Sequence, residues 1–166
     1  KNSDRSLAKY QITARDVATG FPIVAYCDDR CSFFTKKFLE EILYPFLKQF
    51  KYLNLKKITI QTDNGTEFTN RFTTHRDKPT MFQVYLERHG IRHKVIRPFT
   101  PRHNGKVERS HRKDNERFYA THTFYSFEDF ANQLKVYNRR DYNNFPMRPL
   151  GWKTPNQVLR DYLASV

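Results

Sequence analysis

Residues Lys57-Ile58-Thr59-Ile60-Gln61-Thr62 alternate polar and apolar side chains, and the run stops at Asp63-Asn64-Gly65. A period of two marks a half-buried strand, and Asn-Gly marks a sharp turn. The chain therefore delivers the Asp63 carboxylate to the C-terminal end of a short strand. A second string, Asn104-Gly105-Lys106-Val107-Glu108-Arg109-Ser110-His111-Arg112, puts Glu108 one turn into a predicted helix crowded with cations. Between the two acids lie 44 residues. Any fold for this chain must present one acid from a strand end and the other from a helix.

The remaining sequence alternates short strands with helices. Tyr10 to Arg15 and Phe21 to Cys27 predict a hairpin turning at Thr19-Gly20. Ser32 reads as the N-cap of a helix burying Phe34, Phe38, Ile42 and Leu47, which Pro45 should kink or break. Thr69 to Lys78 has no apolar period and reads as a loop or insert. Pro79 and Thr80 open a helix through Arg88, stopped by Gly90, and Arg92 to Ile96 is a further strand. Pro98 to His103 reads as a rigid basic loop, followed by a long helix from Asn104 to Ala120. Ser126, with Asp129 at the third helical position, caps another helix through Arg140, and Thr154-Pro155 starts a last one. Lys1 to Leu7 is polar and reads as a loop. With no repeat and no low-complexity tract, this order predicts one mixed α/β domain over residues 1–166.

At 166 residues the chain can bury a substantial core, and 15 Phe and 10 Tyr supply large side chains for it. Its formal charge is +13, with a pI near 9.9. Such an excess favours nucleic acid or an anionic membrane surface. No apolar stretch approaches a membrane span, and no basic helix shows an unbroken apolar face, so nucleic acid is the favoured partner. Binding should then weaken steeply with salt. No signal peptide is visible, and the first residue is Lys rather than Met, so a fragment or processed piece is expected.

Two acids amid positive charge suit a hard divalent cation acting on a phosphodiester, because magnesium takes oxygen ligands and few protein carboxylates. Each string has an ordinary reading too: Asp-Asn-Gly is a common turn, and a first-turn Glu simply complements the helix dipole. Their conjunction on a basic chain is what points to chemistry. Cys27 and Cys31 read as ordinary thiols, a metal clip needing further ligands nearby. His89 and His93 have metal-like spacing, but Gly90 breaks any shared helix face. His103, His111 and His122 are scattered among cations, so zinc is not expected.

The strings 61–68 and Thr100-Pro101-Arg102-His103-Asn104-Gly105-Lys106-Val107-Glu108-Arg109-Ser110-His111-Arg112 resemble the second-acid and Glu regions of D,D,E transposases and retroviral integrases. That is the integrase catalytic core family of the ribonuclease H-like fold. Ala14 to Gly20 is similar to its turn after the second strand. Tyr142-Asn143-Asn144 and Leu150-Gly151-Trp152-Lys153-Thr154-Pro155 are similar to its C-terminal signature, and the two central strings look most like those of bacterial insertion-sequence transposases. The resemblance implies a mixed sheet flanked by helices, with Asp63 and Glu108 as catalytic metal ligands for Mg2+ or Mn2+ in a two-metal site. Asn64 and Thr66 would line the approach to the scissile strand. Arg112 and Asn115 would meet DNA, with Lys106 and Arg109 as further phosphate contacts by charge.

The implied activity is 3′-end cleavage and strand transfer of DNA, by a homo-oligomer working on element ends and target, in a bacterial cytoplasm near the nucleoid. The first family acid lies on a central strand. Here Asp4 sits in a polar loop and Asp16 in a turn, where it reads as a surface turn residue. That strand and its acid are therefore expected upstream of Lys1, and the 166 residues alone are expected to be inactive. Two rivals stand beside this reading: a structure-specific nuclease on the same fold, and a non-catalytic DNA-binding remnant of a transposase.

Overall fold

The computed structural model describes residues 9–50, 54–98, 100 and 105–165, apart from the side chain of Lys106. The expected N-terminal loop with Asp4, most of the Pro98 to His103 loop, and Asn104 lie outside the described residues. Two compact units form. The Asp63 unit holds Lys9–Ile12 and Ala25–Gly105, and the Glu108 unit holds Thr13–Val24 and the chain from Lys106 onward.

β1 (Tyr10–Arg15) and β2 (Pro22–Cys27) pair as the expected hairpin. Its turn is built by Asp16, whose carboxylate accepts the Thr19 amide at 2.8 Å and the Thr19 hydroxyl. Gly20, at φ +72°, takes the left-handed conformation that closes it. Asp16 is thus an exposed turn-former, as its sequence setting suggests.

In the Asp63 unit the chain enters a helical path through α1 (Ser32–Phe38), a π-helical stretch Leu39–Leu43, and α2 (Tyr44–Lys48). Three expectations change here. Cys31 rather than Ser32 is the N-cap residue, without a side-chain cap bond. Pro45 neither breaks nor ends the path: it falls in the first turn of α2, where its missing amide is tolerated after the wider π turn. The same π turn rotates the apolar face by one position, so Leu39 and Leu43 are buried with Phe38, while Ile42 is exposed and Leu47 half-buried.

A tight turn at Leu55–Lys57, capped by the Asn54 side chain, delays the strand, and β3 spans Thr59–Thr62. α3 (Met81–Arg88) carries the chain over to β4 (Arg92–Val95), which pairs parallel to β3 with Thr59 opposite Arg92 and Thr62 opposite Val95. The Thr80 hydroxyl and Gln83 side chain form a capping box, and Gly90 turns the chain out of α3 at φ +66°. α3 packs on α1 and buries Phe82, Tyr85 and Leu86. Residues 69–78 form the expected loop, pinched at its base by Asn70 Nδ2 donating to Lys78 O at 2.9 Å. Just outside it, the Thr80 hydroxyl donates to Phe68 O at 3.1 Å.

In the Glu108 unit α4 (Gly105–Asp114) continues as a π-helical stretch Asn115–Tyr119 capped at Ala120, where the sequence places the helix end. α5 (Phe127–Tyr137) starts as expected, with Ser126 Oγ accepting the Asp129 amide at 3.1 Å. It continues as π-helical turns through Tyr142, two residues past the expected end. α6 (Pro155–Ala164) begins with a Thr154–Gln157 capping box. Phe118, fully buried, is the centre of the core, with ring centroids of Tyr137 at 4.9 Å, Phe124 at 5.2 Å and Phe130 at 6.2 Å. Burying each such ring is worth about 1.5–3 kcal/mol, and this cluster fixes the inner face of the helix that carries Glu108. Among the described residues no helix is long and apolar enough to cross a membrane.

Candidate functional site

Asp63 follows directly on β3 and is half-buried. Its Oδ1 accepts the Gly65 amide at 3.0 Å, which folds residues 63–65 into a side-chain-closed turn. Four further bonds support the turn around it. The Thr62 hydroxyl donates to Asp63 O at 2.9 Å. Because that hydroxyl has one proton and has spent it, His93 Nε2, also 2.9 Å away, must be the donor in their bond. Burial pushes the His93 pKa down, which favours its neutral form. Asn64 Nδ2 donates to Ile96 O at 3.2 Å, and Thr35 Oγ1 donates to Glu67 O at 2.9 Å, tying the turn to β4's end and to α1.

Asn64 Oδ1 is buried without a hydrogen-bond partner among the described residues, while Thr66 is exposed. Glu67 folds back over Gly65, where a Cβ would collide with its carboxylate, and pairs with Arg30 at 3.4 Å.

Glu108 stands on the first turn of α4, exposed, as do Arg109, Arg112 and Asn115 further along. At about 100° per residue, Glu108, Arg112 and Asn115 share one helix face within roughly 60°. Arg112 Nε donates to Glu116 Oε1 at 2.8 Å, an exposed pair worth little to stability. Of Lys106 only the helical backbone is described.

Each acid keeps oxygen to offer a cation: Asp63 has Oδ2 outside its turn bond, and Glu108 makes no ion pair among the described residues. All-oxygen donors suit magnesium or manganese. Among the described residues no three His, Cys, Asp or Glu side chains gather around one point. Cys27 is buried, donates to Asp29 O at 3.2 Å, and has its thiol pKa raised by that burial. His89 caps α3, donating from Nδ1 to Tyr85 O at 2.8 Å and stacking on that ring, so it and His93 do unrelated work. The support given by Thr62, His93 and Thr35 was not visible in the sequence, since it depends on strand register.

Two solved structures share the architecture. One is the simian T-cell lymphotropic virus intasome in complex with PP2A regulatory subunit B56 gamma (TM-score 0.59, 18% identity, 89% of this chain, 47% of that chain). The other is the catalytic core domain of BIV integrase (TM-score 0.54, 17% identity, 93% of this chain, 88% of that chain). The fold is that of the retroviral integrase catalytic core, ribonuclease H-like.

An integrase core domain family model matches residues 89–155, a segment that contains Glu108 and the C-terminal signature. The chain is 33% identical over 103 residues to a retrovirus-related Pol polyprotein from transposon TNT 1-94 of Nicotiana tabacum (60% of this chain, 7% of that protein). It is 31% identical over 81 residues to a putative integrase ORF3 of Spiroplasma virus SpV1-C74 (47% of this chain, 22% of that protein). The chain thus spans under a quarter of the curated relatives it matches. Together these similarities support the integrase catalytic core family.

Proposed function

We propose that this chain is the catalytic-core portion of a DNA transposase or integrase that cleaves DNA 3′ ends and transfers them to a target strand. The observation that carries this reading is the integrase core domain match across the very helix that presents Glu108, on an integrase-like fold. Asp63 and Glu108 would hold Mg2+ or Mn2+ with a further acid supplied upstream of Lys1. Bound divalent ions supply activation of the attacking oxygen and stabilisation of the leaving one. The chain's own residues do the rest. The Asp63 turn holds its carboxylate in a fixed orientation, Asn64 and Thr66 border the scissile strand, and Lys106, Arg109, Arg112 and Asn115 orient the DNA backbone. The likeness of the strings around Asp63 and Glu108 to bacterial insertion-sequence transposases supports such a parent, acting on the nucleoid as a homo-oligomer that joins two element ends.

The test is a strand-transfer assay on an upstream-extended chain, with pre-cleaved labelled ends and Mg2+ or Mn2+. Joined products, lost in Asp63→Asn and in Glu108→Gln, are expected, and none from the 166 residues alone. Hydrolysis without joining would make the protein a nuclease. DNA binding with neither reaction would make it a remnant.

A further inference from the structure

Beyond Arg109, already given a backbone contact, one flank of the helix that starts as α4 and runs on through Tyr119 carries positive charge that the proposed chemistry does not use. Arg109, Lys113 and Arg117 recur every four residues, a strip turned roughly 120° around the helix from the Glu108 face. Ion pairs form elsewhere in the described structure, yet none involves these three side chains. The nearby acids are otherwise engaged: Asp114 is buried and accepts the Tyr137 hydroxyl at 3.2 Å, and Glu116 pairs with Arg112. Two of the cations meet one exposed ring, with Arg117 Cζ 4.4 Å and Lys113 Nζ 5.6 Å from the Phe145 centroid. A ring that holds two cationic heads by cation–π attraction fixes them in advance and lowers the entropy cost of engaging an anion.

We propose that Arg109, Lys113, Arg117 and Phe145 form a second nucleic-acid contact, in which the strip grips successive backbone phosphates of a DNA strand and Phe145 holds two of the cations in place. The occupant follows from charge complementarity and shape. Cations spaced about 6 Å apart along a helix axis make a row, and a phosphate backbone is a matching row of negative charge. Around Lys113, burial and then the neighbouring positive charges of Arg117, Arg15 and Arg109 push its pKa down, with Asp114 alone acting the other way. This inference rests on the reading of the chain as a DNA-processing core, and it extends the backbone contact of Arg109 to Lys113, Arg117 and Phe145, off the Glu108 face.

The test is fluorescence anisotropy of a labelled DNA duplex of arbitrary sequence, titrated with the chain over a series of salt concentrations. Replacing both Lys113→Gln and Arg117→Gln is expected to flatten the slope of log K against log salt by about 2, one counterion per lost phosphate contact. Lys113→Arg should keep the slope, and Lys36→Gln, which removes a cation already paired with Glu40, should not change it. Phe145→Leu, at an exposed position, should weaken binding about two- to fivefold with the slope retained. An unchanged slope in the double variant overturns the proposal while leaving the catalytic reading standing. Absence of salt-dependent DNA binding by the unaltered chain overturns both. Should thermal melting show the double variant unfolded, Phe145→Leu decides alone, and unchanged affinity there overturns the proposal.

Discussion

Asp63 and Glu108 are held in opposite ways. Asp63 is fixed from the front: its own carboxylate closes a turn, and hydrogen bonds from Thr62 and Asn64 pin the peptide groups beside it. Glu108 is fixed only from behind. Its carboxylate is exposed on the first turn of α4, and what orders that helix is the aromatic cluster packed around Phe118 several turns later. The difference separates two ways of presenting an acid. A polar cradle orients the group but spends one of its lone pairs, whereas an apolar anchor leaves the group unconstrained and fully available.

Substitutions should separate the two acids. Phe118→Ala should have the largest effect, costing about 3–5 kcal/mol in urea unfolding, since the ring is fully buried. A loss below 1 kcal/mol would mean that the Glu108 helix is ordered by something else. Next, in an upstream-extended chain Asp63→Asn and Glu108→Gln should each lower strand transfer by about a hundredfold or more. Retention of activity in either would remove that acid from the site. Thr62→Val should cost about 1–3 kcal/mol, because it deletes two bonds and leaves the half-buried His93 N–H without its partner. Asp63→Ala should cost about 1–2 kcal/mol, while Glu108→Ala stays within about 0.5 kcal/mol; equal costs would erase the contrast.

The smallest expected effect is one of pH. The folded His93 pKa lies below the ordinary value of 6.5, so its contribution is present above that value and is lost as pH falls through the folded one. Urea midpoints taken between about pH 7.5 and 5 should therefore drop more for the unaltered chain than for His93→Gln. Parallel curves would show that protonating His93 is not costly.

The sequence disclosed what local chemistry decides. The Asp63 turn, the Ser126 and Thr154 caps and the end of α4 at Ala120 all follow from residues within a few positions of one another. What it did not disclose depends on distant partners or on helix register. A period of four placed Ile42 inside, but the π turn at Leu39–Leu43 adds a residue to the ring and sends Leu39 and Leu43 inward instead. His93 reaches Thr62 across 31 positions, and Phe145 reaches Arg117 from beyond the π-helical turns that end at Tyr142; neither pairing has a local signature.

Consider finally the excursion between Thr69 and Thr80. Because Asn70 and Lys78 clasp its neck, and Thr80 is anchored to Phe68, the residues beyond the clasp add contour without altering where β3 or α3 begins. Chain length here is uncoupled from the placement of Asp63. Relatives sought by a fixed interval between the two acids would be overlooked, and a reporter peptide spliced near His75 should leave the turn at Gly65 as it is.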